Sequence, residues 1–340
     1  MRFSNVSLVG LGVAEGPIRV TSAAIEDRLR PLAERLGLGP RMLGELTGII
    51  ARRTWPEHVM PSDIAAEAGE AALRDAGLDR ARLGALVSTS VCRDYLEPST
   101  AALAHHKLGL SADCVNFDLG NACLAFLSGV QVVGNMIERG QIEAGVVVDG
   151  ENSARVLEAT LGKLLGPGGD PRSFRDNFAT LTLGSGGAAA VLCRSDLAPP
   201  ERDHRVVGAV TLAATEHVHL CRGTEEGMTT DASGLLVAGV ALARRTYDKA
   251  QRELGWGRDT LDELLLHQVS EVHTDKLCHA LSLDPARVTR IYPEYGNIGP
   301  ASIPFALAKA REAGRLARGK RLGLLGIGSG LNCAMMEVRW

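Results

Sequence analysis

Short runs of Leu, Val, Ile and Ala, bounded by glycine or polar positions, alternate along the chain with stretches whose apolar residues recur every three or four positions. The short runs predict strands at Val6–Leu11, Leu83–Ser90, Val146–Asp149, Ala188–Cys193, Leu264–Gln268 and Leu322–Ile327. The periodic stretches predict helices. One spans Ser62–Ala76, with Ser62 as N-cap and Gly77 as its stop, and another spans Ala301–Ala313 and ends at Gly314. A strand-like Cys114–Asp118 leads into an apolar helix that opens at Cys123 and continues through Val130, Val133 and Met136 to Gly140. The fold class is α/β.

The pattern also repeats. Ala85-Leu86-Val87-Ser88 and Leu264-Leu265-Leu266-His267 stand 179 positions apart, and the same offset relates Arg139-Gly140 to Arg318-Gly319 and Val147-Val148-Asp149 to Gly326-Ile327-Gly328. Gly120-Asn121 precedes Gly296-Asn297 by 176 positions. Two copies of one α/β unit bring matching strand ends to a shared edge, where such sheets place ligands. The polar, proline-bearing Ala198–Asp203 is the expected join, giving halves 1–197 and 204–340.

Composition narrows the function classes. Over 340 residues the chain is 45% hydrophobic and 23% charged, with a net charge of −3 and scattered Lys and Arg. That balance offers no basic stripe for nucleic acid or an anionic membrane. No apolar stretch reaches transmembrane length and the start Met1-Arg2-Phe3-Ser4 has no secretory pattern, so a cytoplasmic protein is expected. Seven cysteines without paired C-x-x-C spacing give neither a disulfide framework nor a zinc site, and His217-x-His219 reads as ordinary surface. Gly326-x-Gly328-x-Gly330 and Gly10-x-Gly12 both lack the third glycine and the following helix of a dinucleotide fingerprint.

The candidate chemistry lies in four places. Cys123 sits at a predicted helix start, where backbone N–H groups and the helix dipole favour the nucleophilic thiolate. His267, with Gln268, ends an apolar strand. Asn297 sits between Gly296 and Gly299 on a turn entering a helix; its carboxamide donates a hydrogen bond without titrating, and with His267 it suits a thioester oxygen on which negative charge develops. The alternating glycines around Ser329-Gly330 present backbone N–H groups as a second oxyanion site.

Cys123, His267 and Asn297, in this order and in these settings, resemble the ketoacyl synthase III branch of the thiolase superfamily, and within it the long-chain acyl-CoA condensing enzymes of olefin biosynthesis. The similar runs cover nearly the whole chain: Thr89–Thr100, Asn121–Phe126, Val148–Glu151, His267–Ser270, Gly296–Ser302 and Gly326–Cys333. The resemblance implies a duplicated, thiolase-like five-layered αβαβα fold, a homodimer, acyl-CoA substrates, and no metal or cofactor beyond the coenzyme A of the substrate. It also implies roles. Cys123 takes an acyl chain as a thioester, with the backbone N–H of Cys123 and of Gly330 as oxyanion hole, and His267 and Asn297 polarise a second thioester. Glu97 reaches the partner subunit's site as the base that removes an α-proton, a step that donors losing carbon dioxide do not need.

The chain departs from this family at Glu271-Val272, where a basic residue and a proline are expected, and the Gly162–Asn177 loop is a variable region that either shapes an acyl channel or connects helices. A malonyl-dependent synthase III and a non-catalytic acyl-binding subunit are the alternative readings. Later enzymes of olefin or β-lactone formation are the expected downstream partners.

Overall fold

The structure, a computed structural model, describes residues 1–39, 41–224 and 227–340. Nine strands form its central sheet: β1 (Val6–Ala14), β2 (Leu83–Ser88), β3 (Val115–Asp118), β4 (Ala144–Glu151), β5 (Gly186–Arg194), β6 (His204–Ala213), β7 (Glu263–Leu266), β8 (Arg321–Gly328) and β9 (Asn332–Arg339). Their order is β7-β8-β9-β6-β1-β5-β4-β2-β3. Within the first five strands this is third-second-fourth-fifth-first. The last four repeat it without a third strand.

Directions repeat too. β2 runs parallel to β4, as β7 does to β8, and β5 is antiparallel to β4 and β1, as β9 is to β8 and β6. The two sets meet where β1 pairs with β6 at Ser7–Arg205 and Leu8–His204.

Helices fill three layers. Pro61–Ala76 and Thr100–Lys107 cover one face of the first set, against Val9, Leu86, Val146, Val148 and Val191. Ala125–Glu138 and Ser302–Glu312 lie between the two sets, packed among Leu8, Val87, Val147, Leu265, Leu324 and Met336. Ala232–Leu254 and Glu271–Leu281 cover the far face of the second set, against Val210, Leu264, Leu266 and Met335. The layers therefore run αβαβα. Alternate residues of one strand enter different cores, Val147 the inner and Val146 and Val148 the outer, so these strands are apolar on both faces and read as unbroken hydrophobic runs.

Gly10 and Gly12 have a packing role. A Cβ at either would lie 2.3 or 2.2 Å from the carbonyl oxygens of Ala72 and Ala68, so their bare backbone lets Pro61–Ala76 lie directly on β1.

Each predicted strand is present with ends shifted by a few residues, but three local expectations need correction. The first helix begins at Pro61 with Met60 at the cap, and Ser62 instead bonds Asp94 and Lys107. The stretch 162–177 is mostly helix, the end of Ala154–Leu165 and all of Pro171–Asn177, packed with Ser22–Leu36 over a small core at Leu161 and Leu181. Finally, β6 and β9 complete the second half although no strand was predicted for them.

Candidate active site

The turn carrying Cys123 is held from both halves. After β3, Ala122 takes a left-handed φ of 46°, which tips the chain into a short 3-10 turn at Ala122–Leu124 and then into helix Ala125–Glu138. Asn121 fixes the turn: its Nδ2 donates to Ser128 Oγ at 3.0 Å, and its Oδ1 accepts from Asn332 Nδ2 at 3.1 Å. Gly328 permits the approach of β8, because a Cβ there would lie 3.0 Å from Leu124 N and 3.3 Å from Cys123 N. Gly330 follows on the turn into β9 with φ 138°, and its N–H has no protein acceptor among the described residues.

His267 is the first residue past β7 and is buried, its N–H donating to Leu325 O at 2.9 Å. Burial, and then the neighbouring His273, push its imidazole down to about 3, with the Gly299 carbonyl acting in the opposite direction. The ring is therefore neutral at physiological pH, able to donate a hydrogen bond without bringing charge. Gln268 ties this strand end to the segment that leads to Asn297, donating to Thr289 O at 2.7 Å and accepting from Ile291 N at 2.8 Å.

Asn297 is anchored by its backbone to Thr182 O and Gly184 N, and its side-chain Oδ1 accepts from Gly299 N–H at 3.0 Å. That bond orients the carboxamide so that its NH2 remains the available donor. Gly299, which takes φ 57°, thus touches both His267 and Asn297. A Cβ on it would also lie 3.8 Å from the Glu151 carboxyl carbon.

Glu151 was given no role on sequence, yet it completes the cluster. Buried at the end of β4, it accepts from the N–H groups of Val91 and Cys92 at 2.6 and 3.1 Å. Asp149, two residues earlier on the same strand face, is fully buried and accepts from the Thr89 hydroxyl at 2.7 Å. Two acids spaced by two in an otherwise apolar strand were the available signal. Burial raises both carboxyls, Glu151 to about 7, and the two charges oppose one another.

The expectation of a Cys123 thiolate is corrected by these neighbours. Burial first, and then the charges of Glu151, Cys221 and Asp149, push the Cys123 thiol up to about 12, outweighing the pull of its own backbone N–H. At rest the sulfur is protonated. Cys123, His267 and Asn297 therefore share one neighbourhood around Gly299 and Glu151. Glu97 is elsewhere: it is exposed on the loop between β2 and Thr100–Lys107 and is not among the charges that act on Cys123. Glu271 opens helix Glu271–Leu281 beside Gly48, and Val272 is exposed. His217 and His219 lie in a 3-10 turn, Thr215–Leu220.

Comparison with known proteins matches the thiolase N-terminal domain over residues 44–160, 3-oxoacyl-[acyl-carrier-protein] synthase III over 117–213, and the C-terminal part of that synthase over 252–340. The acyl-CoA:acyl-CoA alkyltransferase of Xanthomonas campestris is 46% identical over 340 residues, covering 100% of both chains. This chain belongs to that family. It is an acyltransferase family of the thiolase superfamily, and the five-layered duplicated fold is the one it shares. A crystal structure of a Cys-to-Ser variant of Xanthomonas campestris OleA with bound lauric acid and lauroyl-CoA superposes with a TM-score of 0.97, at 46% identity, over 99% of this chain and 100% of that one. The β-ketoacyl-[acyl-carrier-protein] synthase III of Rhodospirillum rubrum is more distant, at 29% identity over 91% of this chain and 93% of that protein.

Proposed function

We propose that this chain joins two long-chain fatty acyl-CoAs by a Claisen condensation without decarboxylation. Cys123 takes the first acyl chain as a thioester, with the backbone N–H groups of Cys123 and Gly330 receiving the oxyanion. His267 and Asn297 hold the carbonyl oxygen of the second acyl-CoA while the partner subunit's Glu97 removes its α-proton. The enolate attacks the Cys123 thioester and gives a 2-alkyl-3-ketoacyl-CoA, which water converts to the 2-alkyl-3-ketoacid used in olefin or β-lactone formation. The coenzyme is part of the substrate, and the reaction needs no further cofactor. The two halves of the chain, 1–197 and 204–340, divide the work, the first carrying the nucleophile and the second the two donors.

The observation that carries this reading is the Asn297 carboxamide, whose NH2 is left free by the Gly299 N–H on its Oδ1, beside the buried, neutral His267 imidazole and the Cys123 turn. Donors that are neutral before reaction bind a neutral thioester weakly and its enolate strongly, which is the discrimination a condensation requires. A homodimer is supported by the exposed apolar side chains Val91, Tyr95 and Leu96 on the loop of Glu97, with Val115 exposed on the edge strand β3. Among the described residues no helix is long and apolar enough to cross a membrane, in keeping with a protein of the cytoplasm, where acyl-CoAs are made.

The test is incubation with acyl-CoA alone. Coupled product and free coenzyme A are expected from the wild-type protein, and Glu97→Ala should acylate Cys123 yet form no coupled product. Condensation only after malonyl thioester is added, or coupling unimpaired in Glu97→Ala, would overturn the mechanism. Absence of any acyl adduct on Cys123 by mass spectrometry would favour a binding subunit.

A further inference from the structure

Arg52 is a cation to which the mechanism gives no task. It lies on Ala51–Thr54, the strand that pairs with Ile18–Thr21 outside the central sheet, and only 1% of it is exposed. Burial pulls its guanidinium down to about 10, against the pull of Glu26, so the group stays charged at neutral pH. Its bonds go to neutral acceptors, Leu181 O at 3.0 Å and Ser22 Oγ at 3.4 Å, and its Nε has no protein acceptor among the described residues. An apolar side chain of similar volume would fill this space without desolvating a charge. Departures of that kind concentrate where function requires them.

What Arg52 holds is the end of a helical turn. Phe178–Thr182 is a 3-10 turn whose last two residues, Leu181 and Thr182, are buried. In a continuing helix the N–H of Gly184 or Ser185 would reach Leu181 O, but here these donate to Asn297 O and Arg53 O, each at 2.9 Å. The Arg52 guanidinium takes their place. Next to it, Thr182 O accepts the Asn297 N–H at 2.9 Å, so the end of the turn and the Asn297 backbone are joined by two bonds, one in each direction.

This join is close enough to pass a displacement on. A Cβ on Gly184 would lie 1.8 Å from Tyr295 O, and one on Gly296, which takes φ 65°, would lie 2.6 Å from Thr182 O and 3.4 Å from the Arg52 Cβ. Backbone lies directly on backbone, with no side chain between them to absorb a shift. We propose that Arg52 is a positioning residue for the Asn297 carboxamide: its guanidinium fixes the end of the Phe178–Thr182 turn, and that turn fixes the backbone from which Asn297 reaches the second acyl-CoA. The inference rests on the reading of Asn297 as a donor in the condensation step. It adds a residue that touches no reacting atom and acts on one half-reaction alone.

The experiment compares wild type, Arg52→Met and Arg52→Lys, each also combined with Asn297→Ala, in variants shown by circular dichroism to be folded at the assay temperature. Mass spectrometry follows the acyl adduct on Cys123 with lauroyl-CoA, and the same samples give the rate of coupled product. Arg52→Met should form the adduct within threefold of wild type and lower coupling about 30-fold, the scale expected when a donor is displaced by less than about 1 Å. Arg52→Lys, which keeps the charge and loses the fork, should lower coupling about fivefold. In the Asn297→Ala background neither substitution should change coupling more than twofold, because the group they misplace is gone. Coupling within threefold of wild type in every folded Arg52 variant would overturn the inference. Adduct and coupling falling together, or the same fold-loss with and without Asn297, would make Arg52 a general structural support and likewise overturn it. Wild-type coupling in Asn297→Ala alone would sink the reading of Asn297 as a donor, and this inference with it.

Discussion

Replacing Glu151 by Gln should make the folded protein more stable at pH 8 and leave it unchanged near pH 4.5. The folded carboxyl is raised to about 7 from an ordinary 4.5 by burial without a counter-cation. Below 4.5 both folded and unfolded chains carry the proton, and the group contributes nothing to pH dependence. Between 4.5 and 7 the unfolded chain releases its proton first, so folding becomes less favourable as pH rises, and above 7 the full penalty is present. At about 1.4 kcal/mol per pH unit, that interval is worth about 3 kcal/mol. Gln mimics the protonated acid, including its loss of one acceptor toward Val91 and Cys92, and so lacks the penalty at every pH. The buried His267 and His273, held down to about 3 and 4, lower stability on the acid side but do so equally in both proteins and cancel in the difference. For 340 residues the gain corresponds to a Tm higher by about 4 °C at pH 8. Thermal and urea unfolding at fixed protein concentration and at pH 5, 6, 7 and 8 measure it. A difference that stays flat across this range, or a variant less stable at pH 8, would show that Glu151 is not a strained acid in the folded state.

Gly328→Ala should preserve the fold but slow Cys123 acylation at least tenfold, since the new Cβ meets the backbone of Leu124, Asn121 and Cys123 at 3.0 to 3.3 Å and none of these atoms can rotate away; adduct kinetics and a melting curve separate the two effects. Arg321→Ala should destabilise the protein by about 3–5 kcal/mol, because it strips the two guanidinium contacts at 2.8 and 2.9 Å from the fully buried Glu337; urea unfolding measures the loss, and the double variant Arg321→Met, Glu337→Gln should recover most of it. Gln268→Ala should cost about 2–3 kcal/mol in the same assay, as the buried Thr289 carbonyl and the Ile291 N–H lose their partner.

Apart from the edge strand β3, read from its place before Cys123, the strands that the sequence revealed are those with a core on both sides. β4 and β7 are buried along their whole length, and burial on two faces leaves nothing to interrupt the apolar run. β6 begins with partly exposed His204 and Arg205 and turns exposed again at its far end, so its pattern never settles into a run or an alternation. β9 hides a charge: Glu337 is buried with Arg321 and the Trp256 indole as partners, and those partners are not neighbours in sequence. The places of His267 and Asn297 were legible because each sits beside a local signal, a strand end for His267 and flanking glycines for Asn297. Ser62 misled because a serine before a helical run has the same local appearance whether it caps the helix or, as here, bonds a side chain from a distant loop.

The state of the thiol shows why local reading stops short of chemistry. A helix start next to small residues favours the thiolate, and that argument is sound for the turn alone. What reverses it is the burial of the sulfur first, and then the charges of Glu151, Cys221 and Asp149, which the tertiary fold and not the local sequence brings to bear on Cys123. The reversal is coherent with the rest of the site. A standing thiolate would sit beside an ionised Glu151 with no buried cation to offset either, and the desolvation of two like charges is what the protein avoids by keeping the sulfur protonated. The same choice limits side reactions, since the thiolate is the form attacked by oxidants and stray electrophiles. On the proposed mechanism, loading requires proton removal to be coupled to the arrival of a thioester, whose oxygen would accept from the backbone N–H groups of the Cys123 turn and Gly330. Reactivity is thereby tied to a bound acyl group rather than stored in the resting sulfur.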